Sequence, residues 1–146
     1  MWWSSRVSLP RMAGYSGKTL GQKLGIKPGD SIATIAAPRN YRVLLGPLPD
    51  GAQIVHRAPT SGAAIVHLFV TTLAELKTQL PRARQAMATS GAIWVSWYKK
   101  ASKIKTDVTE DAIRNLALEG DLVDVKVCAV DEQWSGLKLV IRKALR

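Results

Sequence analysis

The segment 63–70 constrains the fold more than any other part of the chain. It reads Ala-Ala-Ile-Val-His-Leu-Phe-Val, which is apolar throughout except for His67. A strand with one face in water alternates apolar and polar side chains, whereas a strand of a parallel sheet is covered on both faces and stays apolar. The run is also far shorter than the ~20 residues that a membrane-spanning helix needs. The segment therefore predicts a central strand of a parallel sheet.

Other strands and helices alternate with this one along the chain. The residue patterns predict strands over 31–36, 53–57, 92–97, 123–130 and 137–142, and helices over 15–24, 41–45, 73–88 and 110–119. The last two strands have no helix between them, so we expect an antiparallel hairpin at the end of an otherwise parallel sheet. Because only residues 58–63 join the second strand to the third, the second strand is either very short or not parallel.

Two helices carry particular end and interior signals. Thr72 is the predicted N-cap of helix 73–88, and Pro81 inside that helix is expected to kink or split it. Ser16 is the predicted N-cap of helix 15–24, and Gly25 is expected to end it in a left-handed conformation.

The length of the chain and its single cysteine limit the domain organisation. A chain of 146 residues is long enough for one domain with a substantial core. We expect this domain over residues 12–146, preceded by a disordered leader over residues 1–11. Cys128 is the only cysteine, which excludes a disulfide framework. Residues 1–11 contain no apolar stretch of the kind that a secretory signal needs, so we expect a cytoplasmic protein.

The chain is strongly basic. Lys and Arg number 21 against 11 Asp and Glu, which gives a formal net charge of +10. Such a surface favours an anionic ligand or partner, which means a nucleotide, a nucleic acid or an acidic protein. The alternative is a basic surface with no specific partner. The pattern does not indicate any membrane partner, and it leaves the oligomeric state open.

The richest cluster of candidate ligand-binding residues follows the predicted strand 92–97. It comprises Trp97, Tyr98, Lys99, Lys100, Ser102, Lys103 and Lys105, and the turn of the last hairpin adds Trp134. A segment after a central parallel strand lies at the carboxyl end of the sheet, where open α/β sheets bind ligands. Lysines attract phosphates, and aromatic rings stack on bases. The alternative is a solvated basic connection between two elements.

Three other motifs do not support a catalytic site. Residues 17–19 read Gly-Lys-Thr, but the preceding strand and first glycine of a phosphate-binding loop are absent. His67 lies in the apolar segment 63–70, so we expect a buried, hydrogen-bonded core histidine. Cys128 alternates with apolar neighbours and is expected to be a packed core thiol. No metal ligand set and no catalytic residue is assigned.

Several motifs resemble known families. Ile26-Lys27-Pro28-Gly29-Asp30 before the first strand and the segment 90–96 resemble class I S-adenosylmethionine-dependent methyltransferases. The string 13–143 also resembles a bacterial family of small uncharacterised proteins, through GYSGK (14–18), LGPLP (45–49), WVSW (94–97), KKAS (99–102) and VKVCAV (125–130). The resemblance implies a three-layer, Rossmann-like α/β fold with a mostly parallel sheet and a C-terminal antiparallel hairpin.

The chain departs from the methyltransferase pattern at the expected cofactor site. The first strand runs into Ala36-Ala37-Pro38-Arg39-Asn40, where the family has a glycine-rich turn. His56-Arg57 stand where a carboxylate would bind the ribose. We therefore expect a degenerate, non-catalytic domain without a cofactor that binds an anionic ligand or partner. The alternatives are a small S-adenosylmethionine-dependent methyltransferase with an atypical cofactor site and a scaffolding subunit of a larger assembly.

Overall fold

The computed structural model describes residues 17–145, so the predicted leader 1–11 lies outside the described residues. Its helices are α1 Leu20–Leu24, α2 Tyr41–Leu45, α3 Leu73–Ala86 and α4 Glu110–Glu119. Its strands are β1 Ser31–Ile35, β2 Gln53–Val55, β3 Ala63–Phe69, β4 Met87–Tyr98, β5 Leu122–Ala129 and β6 Trp134–Ile141. No helix within residues 17–145 combines the length and the apolar character needed to cross a membrane.

The strands form one sheet in the order β2-β1-β3-β4-β6-β5. The first four strands of this order are mutually parallel, and β6 is antiparallel to both β4 and β5. This arrangement confirms the predicted α/β fold with its C-terminal antiparallel hairpin. The short connection from β2 to β3 predicts that β2 is either very short or not parallel. The structure shows that β2 is parallel and only three residues long.

Helices cover both faces of the sheet, as the apolar segment predicts. Val66 and Leu68 of β3 pack in the cluster that contains Leu76 of α3 and Ile113 of α4. The alternate β3 residues Ile65 and Phe69 pack in a second cluster with the buried residues of α1 and α2, which are Leu20, Leu24, Tyr41 and Leu45. The result is a three-layer domain in which β3 is covered on both sides.

Two helices differ from their predicted form. α3 is continuous through Pro81. Proline has no N–H, so the carbonyl of Lys77 loses its helical hydrogen-bond donor. Both Pro81 and Lys77 are exposed, so water can replace that donor.

α1 begins at Leu20 rather than at residue 15. Thr19 caps it by accepting from the backbone N–H of Gln22, whose side chain accepts from the Thr19 N–H in return. The predicted N-cap Ser16 lies outside the described residues. Gly25 ends α1 with φ 78°, as predicted.

The fourth strand begins earlier than its pattern predicts. The pattern predicts the strand from residue 92, but β4 already starts at Met87 and passes through residues 90–91. The pairing with β3 shifts register in this region. Here the segment before β3 runs very close to β4, since a Cβ at Gly62 would lie 2.4 Å from the backbone nitrogen of Ala88. The glycines of this region therefore permit a close approach of these two segments rather than a turn.

Candidate functional site

The four parallel strands place their carboxyl ends along one edge of the sheet. β1 leads to β2 on one side, and its other neighbour β3 leads to β4 on the opposite side. Connections that leave in opposite directions open a crevice between the two strands, and open α/β sheets bind ligands at such a point. The turns after β1 and β3 border this crevice.

The turn after β1 has an unusual backbone. Ala36 directly follows the strand and has φ 60°, in the left-handed region that non-glycine residues rarely adopt. The side chain is exposed and small. The resemblance to methyltransferases places a glycine-rich turn at this point. The chain therefore lacks the glycines but keeps a left-handed turn with little side-chain bulk, which fits a ligand that approaches the backbone.

A buried hydrogen-bond relay holds the helix that follows this turn. The hydroxyl of Tyr41 in α2 lies 2.7 Å from Nδ1 of His67, and Nε2 of His67 lies 2.7 Å from Oγ of Ser96. The His67 ring also stacks on Phe69, with ring centroids 4.3 Å apart. Burial lowers the pKa of His67 to about 3, so the imidazole is neutral. The predicted hydrogen-bonded core histidine is confirmed, and it fixes α2 against β3 and β4.

Tyr41 and Ser96 were missed as partners of His67. Ser96 is fully buried within β4, and Tyr41 is 4% exposed. A lone serine in the apolar run 92–97 is the signal that points to a buried polar partner, since buried hydroxyls are almost always hydrogen-bonded. No comparable signal marks Tyr41, because its contact with His67 depends on how α2 packs on the sheet.

The end of β2 offers no carboxylate. His56 and Arg57 follow the strand and are exposed. At the start of α2, the carboxamide of Asn40 is exposed and does not cap the helix. The edge beside the Ala36 turn therefore presents the exposed side chains of Asn40, His56 and Arg57.

Several hydrogen bonds hold the residues that follow β3. The carboxylate of Glu75 accepts from the backbone N–H and the hydroxyl of Thr71, both at 2.7 Å, and these bonds lower its pKa. Asp107 accepts from the backbone N–H of Leu73 at 2.7 Å, and the Thr106 hydroxyl donates to the carbonyl of Thr71 at 2.6 Å. These contacts tie the segment after β4 to the end of β3.

Residues 98–106, which begin at the last residue of β4, are here called the basic loop. A cavity of about 730 Å³ lies between this loop and the start of α4. It is lined by Trp97, Tyr98, Lys99, Lys100, Lys103, Ile104, Lys105, Thr106, Val108, Thr109, Glu110 and Ser135. The backbone N–H of Lys99 donates to the carbonyl of Gln133 at 2.9 Å, so the turn of the last hairpin lies beside the loop, as predicted.

The structure brings most, but not all, of the predicted ligand-binding residues into this cavity. Trp97 lines it but is only 8% exposed, because alternation along β4 turns its ring into the core on the side of α3 and α4. Trp134 is also 8% exposed and belongs to strand β6, where it stacks on Tyr98 with centroids 4.1 Å apart. Ser102 shapes the loop, since its hydroxyl donates to the Lys99 carbonyl at 2.7 Å.

Cys128 does not line the cavity beside the basic loop. Cys128 is half-buried in β5 and packs against the cluster on the α1 and α2 side. Burial is the largest influence on its thiol and raises the pKa, which keeps the sulfur protonated at neutral pH. These properties match the predicted packed thiol.

Comparisons with known proteins identify the fold. No protein-family model and no curated protein matches the chain. A SAM-dependent methyltransferase from Aquifex aeolicus superposes with a TM-score of 0.56 at 9% identity, over 83% of this chain and 87% of that one. Aeropyrum pernix fibrillarin with bound S-adenosyl-L-methionine gives 0.55 at 14%, over 83% and 73%. OxaC in complex with SAH and oxaline gives 0.58 at 14%, over 86% of this chain but only 46% of OxaC.

These matches correct one expectation and leave another open. The prediction of a domain without a cofactor is wrong: it took the missing glycines and acid as decisive, yet solved structures of this fold carry SAM or SAH. Membership of a bacterial family of uncharacterised proteins stays a prediction. The chain has the Rossmann-like fold of the class I SAM-dependent methyltransferases.

Proposed function

We propose that the chain binds S-adenosylmethionine in the crevice between β1 and β3 and acts as a small methyltransferase with an atypical cofactor site. The observation that carries the proposal is the left-handed turn at Ala36, φ 60°, at the end of β1 and beside the crevice. A non-glycine residue in this conformation costs roughly 1–2 kcal/mol. Such strain is concentrated at functional sites, where the backbone geometry itself is needed.

The polar groups of the edge suggest how the ligand is held. The backbone of Ala36 and Ala37 lies under the ligand, and the exposed side chains of Asn40 and His56 serve its ribose hydroxyls in place of a carboxylate. Both an amide and an imidazole form hydrogen bonds with a hydroxyl group. When bound, S-adenosylmethionine supplies a methyl group on a positively charged sulfur. The chain then contributes mainly the positioning of cofactor and acceptor, which is itself a large part of catalysis.

Calorimetric titration with S-adenosylmethionine and SAH tests the binding site. We expect one-to-one binding with a micromolar Kd for both ligands. Ala36→Leu should abolish the heat of binding because it fills the turn, whereas Ala36→Gly at the same position should retain it because glycine adopts φ 60° without strain. Circular dichroism checks that both variants are folded. No binding by the unchanged chain, or equal binding by the two variants, would overturn the site.

The methyltransferase part of the proposal needs a turnover measurement. Release of SAH from S-adenosylmethionine is followed with total RNA and with total protein as acceptor pools, and with Ala36→Leu as the inactive control. We expect acceptor-dependent release by the unchanged chain alone. Tight binding without any acceptor-dependent release would restrict the function to binding.

A further inference from the structure

The basic loop presents four lysines around one cavity. Lys99, Lys100, Lys103 and Lys105 all line the 730 Å³ cavity. None of them forms an ion pair within residues 17–145. Lys103, at φ 60°, ends the short helical turn 100–102 in a left-handed conformation. Four unpaired cations around one cavity give a local positive potential that favours an anion.

An acid that lines the cavity is already engaged. Among the described residues, Glu110 is the only acidic one that lines the cavity, and its carboxylate pairs with Arg114. Arg114 also pairs with Asp111 and Asp124. One arginine therefore engages these three carboxylates, and within residues 17–145 none of the four lysines pairs with an acid.

The floor of the cavity is apolar. Ile104 and the buried residues Trp97 and Val108 line it. Ile104 is 37% exposed, so part of this apolar surface is open to solvent. An apolar floor inside a lysine rim matches a nucleobase, which has flat faces, joined to a phosphate. A run of Asp and Glu alone offers carboxylates but no flat group for the floor.

We infer that this cavity is a binding site for single-stranded nucleic acid, with bases over the apolar floor and phosphates at the four lysines. None of its lining residues belongs to the turns after β1 or β3, so the inference does not depend on the proposed function. Single strands suit the site because their bases are unpaired and can lie on apolar side chains.

Fluorescence anisotropy with a labelled single-stranded RNA, without any adenosyl ligand, tests the site. The groove variant replaces Lys99, Lys100, Lys103 and Lys105 with Gln, which keeps the side-chain stems and removes the charges. If each lysine contacts one phosphate, the slope of log affinity against log salt should fall by about 2.8, at about 0.7 per contact for a single strand. The double substitution Lys103→Gln and Lys105→Gln, at two exposed positions, should lower this slope by about 1.4.

A matched control separates this site from diffuse charge. The control variant replaces the exposed Lys18, Lys77, Lys126 and Lys143 with Gln, so that both variants lose four charges from the net +10. We expect the control to keep a steeper slope than the groove variant and to bind at least tenfold more tightly. Equal slopes in the two variants would overturn the inference. Displacement of the RNA by polyglutamate as effectively as by unlabelled RNA would also overturn it, in favour of an acidic protein partner.

Discussion

Acidification should destabilise the fold through His67. The folded chain holds this imidazole neutral because burial lowers its pKa to about 3, whereas an unfolded histidine has a pKa near 6.5. Between these two pH values the unfolded chain binds a proton that the folded chain does not. Stability is therefore retained at neutral pH and lost as the pH falls below about 6.5.

The size of the effect follows from the two pKa values. With the folded value at about 3, this one group costs about 2.5 kcal/mol of unfolding free energy between pH 7 and pH 4.5. Net stabilities of domains are typically about 5–15 kcal/mol, so the loss is easily measured. The relay from Tyr41 through His67 to Ser96 holds α2, so local loosening should begin beside the Ala36 turn.

Urea unfolding at several pH values, with two matched variants, checks this reasoning. His67→Gln removes the buried imidazole, and His56→Gln removes the exposed one. We expect His67→Gln to be less stable at pH 7 but to lose less stability on acidification than the unchanged chain. His56→Gln should retain the full loss. The reasoning is refuted if His67→Gln shows the same pH dependence, or if proton NMR of His56→Gln shows the remaining ring titrating near pH 6.5 in the folded chain.

Three further substitutions test the backbone features. Gly62→Ala should cost about 3 kcal/mol or more, because φ is +95° and the new Cβ would lie 2.4 Å from the Ala88 nitrogen. Gly25→Ala should cost only about 1 kcal/mol, because φ is +78° but nothing lies within 4 Å; equal losses in urea unfolding would contradict the close approach. Pro81→Ala should raise the stability by up to about 3 kcal/mol by restoring a helical donor, and a lower melting temperature would contradict this.

Local patterns along the chain predicted most of the fold. The apolar run 63–70 matches β3, which ends at Phe69, within one residue, and α2 has its predicted bounds of Tyr41 and Leu45. Thr72 caps α3 as predicted. These features depend on side-chain periodicity and on hydrogen bonds within a few residues, so neighbouring residues suffice to predict them.

The site was less predictable because it depends on tertiary contacts. Trp97 and Trp134 were expected to face a ligand, yet the pairing of β4 with β6 turns both rings inward. The left-handed turn at Ala36 has no signal in the residue type, since alanine rarely adopts it. The glycines of the family pattern were taken as necessary, although the turn conformation that they favour is present without them.

The most direct test of the proposed cofactor site is an NMR titration of the isotope-labelled chain with SAH. We expect saturable shifts of the backbone amides of Ala36, Ala37, Asn40 and Thr71, which border the crevice between β1 and β3, and unchanged amides at residues 99–105. The absence of any shift at SAH concentrations up to millimolar, or shifts confined to the basic loop, would contradict the account.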